Sequence, residues 1–279
     1  TKLSAITVIA IPMLLILLQN DTGSALVFCS FVFVLFREGL SSYVLIIGAT
    51  CILLFILALL ANQYILIGIY FILIISAYFI LRKRIRKLNI WIFICTFIGA
   101  SLFTLAVDFV FENVLEPHQK DRIEVLLGKK EDFKGVGYNV NQSKIAIGSG
   151  GITGKGFLNG TQTKFNFVPE QDTDFIFCTI GEEWGFIGAS LTVIIFIFLC
   201  AKLIKMAERQ RSKFARIYGY SVASIIFFHF FINIGMTIGL LPVIGIPLPF
   251  ISYGGSSLWA FTFLLFIFIK QDALRQELI

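Results

Sequence analysis

Residues 41–61, SSYVLIIGATCILLFILALLA, contain no charged side chain. At 1.5 Å per residue, a helix of that length is about 30 Å long, the thickness of a bilayer's hydrocarbon core. Seven other stretches read in the same way: 3–19, 23–37, 64–81, 88–112, 175–201, 217–241 and 255–270. The second is the shortest, and only Asn62 and Gln63 separate the third from the fourth, as a tight helical hairpin requires. Composition agrees, because 57% of the 279 residues are hydrophobic and 14% are charged, against roughly 25% charged in a soluble domain. The fold class expected is an all-α polytopic membrane protein with about eight transmembrane helices.

The basic residues orient these spans. Arg37, then Arg82, Lys83, Arg84, Arg86 and Lys87, then Lys202, Lys205, Arg209, Arg211, Lys213 and Arg216, then Lys270 and Arg275 all fall in alternate connections. The short connections of the opposite set hold none. The positive-inside rule therefore puts Thr1 and Ile279, and Lys2 with them, on the cytoplasmic side. The remaining basic residues sit in one long loop, about 113–173, which parity makes extracytoplasmic. A translocated segment of that length escapes the charge rule. The chain thus divides into five spans (1–112), the outer loop (113–173) and three spans with a proline-rich outer loop (174–279). Short helices lying on the membrane surface are expected within 113–173, and a re-entrant or packed segment where Pro242, Pro247 and Pro249 crowd 240–252. The sequence starts at Thr1 and leads straight into an apolar run with no visible signal peptide, as a fragment lacking upstream spans would.

The net charge of +6 belongs to the inward connections, so no nucleic-acid partner is expected. Cys29, Cys51, Cys95, Cys178 and Cys200 lie in apolar runs without CxxC spacing and read as small core residues. His118 and His229 stand alone, so no metal-ligand set is visible.

Chemically capable groups concentrate at the outer face. The glycine-rich stretch 145–162, IAIGSGGITGKGFLNGTQ, is not a Walker A loop, since Ser149 occupies the first glycine position and Gly156 replaces the Ser or Thr after Lys155. Its glycines fit either a tight turn or close approach of backbone to a bound headgroup. In VPEQDTDFIF, residues 168–177, Asp174 stands just ahead of an apolar span. An aspartate there serves as a helix N-cap or as a general base at the membrane surface. Glu182 and Glu183 lie inside the sixth span, either as a buried structural pair or as part of a site. Gly181, Gly185 and Gly188 beside them make a face for close helix contact. Asp108 reads as interfacial.

The stretch GYNVNQSKIAIGSGGITGKGFLNGTQTKFNFVPEQDTDFIFCTIGEEWGFIG resembles the signature of the SEDS family (shape, elongation, division and sporulation) in its RodA-like branch. LLQNDTGSALVF, EPHQKDRI and NIGMTIGLLPVIGIPLPFISYGGSS agree with it in the family's order. The resemblance implies a peptidoglycan glycosyltransferase of the bacterial cytoplasmic membrane that polymerises lipid II and releases undecaprenyl pyrophosphate. It implies a class B penicillin-binding protein as transpeptidase partner, with other elongation-machinery proteins, and leaves room for a divalent cation, Mg or Mn. Asp174 matches the family's essential loop aspartate and would be the base. Arg122, Lys144 and Lys155 match its recurrent basic residues, candidates for the pyrophosphate. Glu182, Glu183 and the proline-rich segment match elements lining its cavity. Asn20, Ser24 and Asp172 depart from the usual pattern, His being common at the last. The spans at 64–81 and 88–112 look like an insertion, and about four upstream spans are absent. A lipid II flippase or a non-catalytic scaffold of the cell-wall machinery are the alternatives.

The orientation is open to direct measurement. In a chain whose native cysteines are replaced, a cysteine placed within 82–87 is expected to be labelled only from the cytoplasm, and one near Lys129 only from outside. Labelling of both from one side would refute the parity.

Overall fold

The structure, a computed structural model, describes residues 2–84, 89–129 and 136–276. Arg86 and Lys87 of the first strongly basic connection lie outside these, as do Thr1, Ile279 and the side chains of Lys2, Lys83, Arg84 and His118. All regular structure among the described residues is helical. The helices are α1 (Lys2–Leu17), α2 (Thr22–Phe28), α3 (Phe31–Arg37), α4 (Ser42–Leu60), α5 (Gln63–Arg84), α6 (Ile90–Asn113), α7 (Pro117–Leu126), α8 (Val136–Ser149), α9 (Thr161–Lys164), α10 (Ile176–Glu208), α11 (Lys213–Thr237) and α12 (Gly255–Ala273). Five stretches, Ser42–Leu60, Gln63–Arg82, Ile90–Asn113, Ile176–Glu208 and Lys213–Thr237, are long and apolar enough to cross a bilayer, and Ser4–Leu17 and Thr22–Arg37 are shorter apolar pieces. The protein is a multi-pass, all-α membrane protein.

Polar residues between apolar runs set the helix starts by accepting free backbone N–H groups. Asp21 accepts from Ser24 N at 2.9 Å, Asn62 from Tyr64 N at 2.9 Å, and Asn89 from Trp91 N at 3.1 Å. Some boundaries differ from the sequence reading. The second span is two helices, interrupted between Phe28 and Phe31. The sixth continues to Glu208. The seventh runs a turn earlier than 217–241 and ends at Thr237, because Gly239 takes a φ of 73° and Pro242 follows.

Packing divides the chain differently from the three sequence segments, into one unit of 1–40 with 128–279 and a second of 41–127. In the second unit α6 packs on α4 and α5 around Leu66, Tyr70, Thr104 and Val107, with Thr104 Oγ1 3.5 Å from Tyr70 Oη. The other apolar side chains of these three helices mostly face outward, which suits lipid and not water.

In the first unit α11 is the central element, packed on α10, α12 and α3. Phe196, Leu203, Ala207, Ala223, Ile226, Phe230 and Phe268 fill its core, and the Phe196 and Phe230 rings stack at 4.9 Å. One end of this unit is a lattice of ion pairs. Arg37 pairs with Glu208, Arg216 grips Glu38 at 2.9 and 3.0 Å, and Arg209 and Arg275 share Asp272. The orienting arginines therefore gather where α3, α10 and α12 end and α11 begins. The other end of α10 and α11 carries the outer loop, whose helices α8 and α9 are not loose surface elements. Val140, Ser143 and Ala146 of α8 are buried, and Ser143 Oγ donates to Thr237 O at 2.9 Å.

Candidate functional site

The site is organised by a break in α10. Gly185 has φ 63° and ψ −160°, outside helical space. An unbroken helix would bond Phe186 N to Glu182 O and Ile187 N to Glu183 O. All four groups are freed in an apolar span, where unmet backbone groups are costly. The glycine-rich loop meets each of them. Lys155 N donates to Glu182 O at 3.1 Å and Gly156 N to Glu183 O at 2.9 Å, while Phe186 N donates to Gly151 O at 2.8 Å and Ile187 N to Ile152 O at 3.1 Å. Contact this close demands glycine, since a Cβ at Gly150 would stand 2.0 Å from Gly181 O and one at Gly154 2.1 Å from Glu183 O. Close backbone approach is thus realised, and its target is α10.

The Glu182 carboxylate fastens the same junction. It is fully buried and accepts from Lys155 Nζ at 2.6 Å, Gln162 N at 2.9 Å, Thr163 N and Oγ1 at 2.9 Å, and Ser149 Oγ and Thr161 Oγ1 at 3.3 Å. Gly160 supplies no side-chain cap to α9, so Glu182 caps its first amides from a distance. Glu182 is therefore the structural member of the glutamate pair. Lys155 spends its charge on it, which makes the buried carboxylate tolerable.

Asp174 is held differently. Its segment is tied to the proline-rich loop and α11 through three successive carbonyls. Tyr253 N donates to Asp172 O at 2.7 Å, Ser252 Oγ to Thr173 O at 2.6 Å, and Asn233 Nδ2 to Asp174 O at 2.7 Å as well as Ile246 O at 2.8 Å. Phe175 and Phe177 anchor it from below. The proline-rich segment is a packed loop, with Ile246 and Leu248 buried and Pro247 O 3.3 Å from His229 Nδ1. The N-cap of α10 is Phe175, without a side-chain hydrogen bond, so Asp174 does not cap the helix. Its half-buried carboxyl makes no hydrogen bond among the described residues and lies beside Gly245, where a Cβ would be 3.3 Å from Oδ2. Burial, and then the charge of Glu170, hold its pKa above the ordinary carboxylate range.

The other predicted residues divide. Lys144, exposed on α8, lies over Gly239, where a Cβ would be 2.5 Å from its Nζ, and it forms no ion pair among the described residues. Gly239 and Gly245 bracket one loop, so Lys144 and Asp174 border the same segment. Gly23 approaches that loop too, at 3.0 Å from Ile244 O for a Cβ. Arg122 lies on α7 in the other unit, its Nε buried without a partner among the described residues. Glu183 is buried, with no partner for its carboxylate among the described residues. Asn233 and Ser252 went unread in the sequence. An asparagine inside an apolar span was the available signal.

A polytopic bundle whose broken helix is closed by a glycine loop, with a free carboxyl presented beside it, defines the class. The chain belongs to the FtsW/RodA/SpoVE family, "Cell cycle protein", whose model matches residues 68–276. It is 41% identical over 163 residues to the peptidoglycan glycosyltransferase MrdB of Escherichia coli (strain K12), covering 58% of this chain and 44% of that protein. It is 36% identical over 174 residues to the peptidoglycan glycosyltransferase RodA of Treponema pallidum (strain Nichols), covering 62% and 40%. The match thus spans less than half the length of these curated relatives. A solved structure described as "Structural coordination of polymerization and crosslinking by a peptidoglycan synthase complex" superposes with a TM-score of 0.62 at 25% identity, over 94% of this chain and 58% of that one.

Gly154→Ala, which forces a Cβ onto Glu183 O at positive φ, is expected to cost about 2–4 kcal/mol of stability by strain and overpacking. Gly148→Ala, with open space around it, is the control, expected within about 0.5 kcal/mol of the parent. Thermal melting in detergent checks both, and equal melting of the two variants would contradict the tight junction.

Proposed function

We propose that the protein carrying this chain polymerises lipid II, adding its disaccharide-peptide units to glycan strands for cell elongation and shape, with Asp174 as general base. The observation that carries this is the free, half-buried carboxyl of Asp174. Three bonds fix its backbone strap, yet nothing among the described residues occupies its oxygens. A raised pKa makes it a stronger base once ionised. In this mechanism an Asp174 oxygen takes the proton of the acceptor sugar's 4-hydroxyl as the hydroxyl oxygen attacks the anomeric carbon of the lipid-linked strand and the bond from that carbon to the pyrophosphate breaks. Undecaprenyl pyrophosphate leaves, and Lys144, without an ion pair among the described residues, meets its charge. Lys155 and Glu182 serve by shaping the loop. No three His, Cys, Asp or Glu side chains converge as metal ligands among the described residues.

The arginine-rich end of the first unit is assigned to the cytoplasm and the Asp174 end to the outside of the bacterial inner membrane. A class B penicillin-binding protein is the proposed partner, with other elongation-machinery proteins. The description of the similar solved structure supports that pairing. A lipid II flippase is the rival. The six donors on Glu182 leave Glu183 as the one uncommitted glutamate of that pair, whereas a transporter needs polar groups at mid-membrane depth on several helices. A mere scaffold has no use for a carboxyl kept unpaired at a cost.

Asp174→Asn is expected to leave folding and thermal melting unchanged, because the carboxyl neither caps a helix nor accepts a hydrogen bond. Polymerisation of labelled lipid II should fall by about 10²–10⁴-fold. Parent-level polymer from the variant would remove Asp174 as the base, and flipping without polymer by the parent would favour the transporter.

A further inference from the structure

Two adjacent glutamates in one turn of α10 meet opposite fates. Glu182 accepts from six donors, whereas the Glu183 carboxylate, in a residue only 8% exposed, has no partner among the described residues. Glu183 faces a pocket of about 400 Å³ between the 158–164 and 171–172 segments and α10. Two more unmet polar atoms belong to residues lining the same space. Gln171 gives its Nε2 hydrogens to Thr163 O at 2.8 Å and Asn166 Oδ1 at 2.7 Å, which fixes the amide and leaves its buried Oε1 without a donor. Thr179 Oγ1 is buried without a geometric hydrogen bond among the described residues, beside the Cys178 thiol. Asp172 adds a second carboxylate at the rim.

Buried polar groups left unpaired are destabilising. The Glu183 carboxylate and Gln171 Oε1 only accept, so what they lack is a donor, and two carboxylates ask that it be cationic. Lys155 is committed to Glu182, and Lys164 is exposed on the pocket lining. The volume lies in the range of small-molecule sites, roughly 300–1,000 Å³, more than ten times the ~30 Å³ share of one water. An ammonium group carries three donors and no acceptor, which suits the Glu183 carboxylate on the pocket lining.

We propose that this pocket binds a primary ammonium carried by the peptide of the lipid-linked substrate. The inference rests on the polymerase function proposed above. Asp172, two residues from Asp174, lines this pocket.

The test uses the full protein in nanodiscs and two probes: the lipid-linked disaccharide-peptide with a free side-chain amine, and the same molecule with that amine acetylated. The parent should bind the acetylated probe about tenfold more weakly, as loss of a charge-assisted contact predicts, with KM rising and kcat unchanged. Glu183→Gln should bind both probes equally, and Glu183→Asp should recover part of the discrimination. Lys164→Gln should keep all of it. Equal binding of the two probes by the parent, or discrimination that survives Glu183→Gln, would overturn the proposal. Loss of discrimination in Lys164→Gln would make Lys164 the amine's competitor or partner, and Mg²⁺ alone binding in a Glu183-dependent way would make the occupant a metal ion. Either result overturns it. Because binding is read apart from polymerisation, missing discrimination in an active polymerase sinks this inference alone. Discrimination without polymer sinks only the proposed activity.

Discussion

The rest of the first unit depends on the exchange of four backbone hydrogen bonds across the break at Gly185. A helix that loses two rungs within an apolar span leaves two N–H and two C=O groups without water to satisfy them, and each unsatisfied group costs about 1–3 kcal/mol. The 151–156 segment restores the count by supplying two donors and two acceptors in register. The loop is thereby part of the helix's own hydrogen bonding. Its glycines follow from that, since backbone reaches backbone only where no Cβ intervenes.

Once the loop is bonded into α10, the carboxylates sort themselves by environment. Glu182 meets the amides of α9 and the Lys155 ammonium and is fully committed. One residue later, Glu183 lines a pocket and has no partner among the described residues. Asp174, ahead of the helix, keeps its oxygens free because Asn233 and Ser252 bind the backbone around it and leave the carboxyl alone. A committed carboxylate and two without a partner among the described residues thus arise within 174–183.

The spans were legible because bilayer length and lack of charge need no tertiary information. The second span was blurred because its interruption at Cys29 and Ser30 involves no proline or glycine. The break at Gly185 was hidden, since Gly181, Gly185 and Gly188 at helical spacing read equally well as a helix-contact face. Only Gly181 serves that use, against Ile147. Lys155 read as free because its partner lies 27 positions away in sequence, and that Asp174 does not cap α10 needed the atoms. Asp174 itself, Lys144 and the proline-rich loop were visible as chemistry at one face. The bonds from Asn233 and Ser252 that position them were not, since a single polar residue in an apolar run does not name its acceptor.

Residue-resolved amide hydrogen exchange on the protein in nanodiscs tests the central claim most directly. The amides of Lys155, Gly156, Phe186 and Ile187 are predicted to be protected to the level of the α10 core around Phe196. In Glu182→Gln, which loses the loop's charged anchor, all four should speed up together. Exchange of Lys155 and Gly156 at open-loop rates in the parent, with Phe186 and Ile187 still protected, would contradict it.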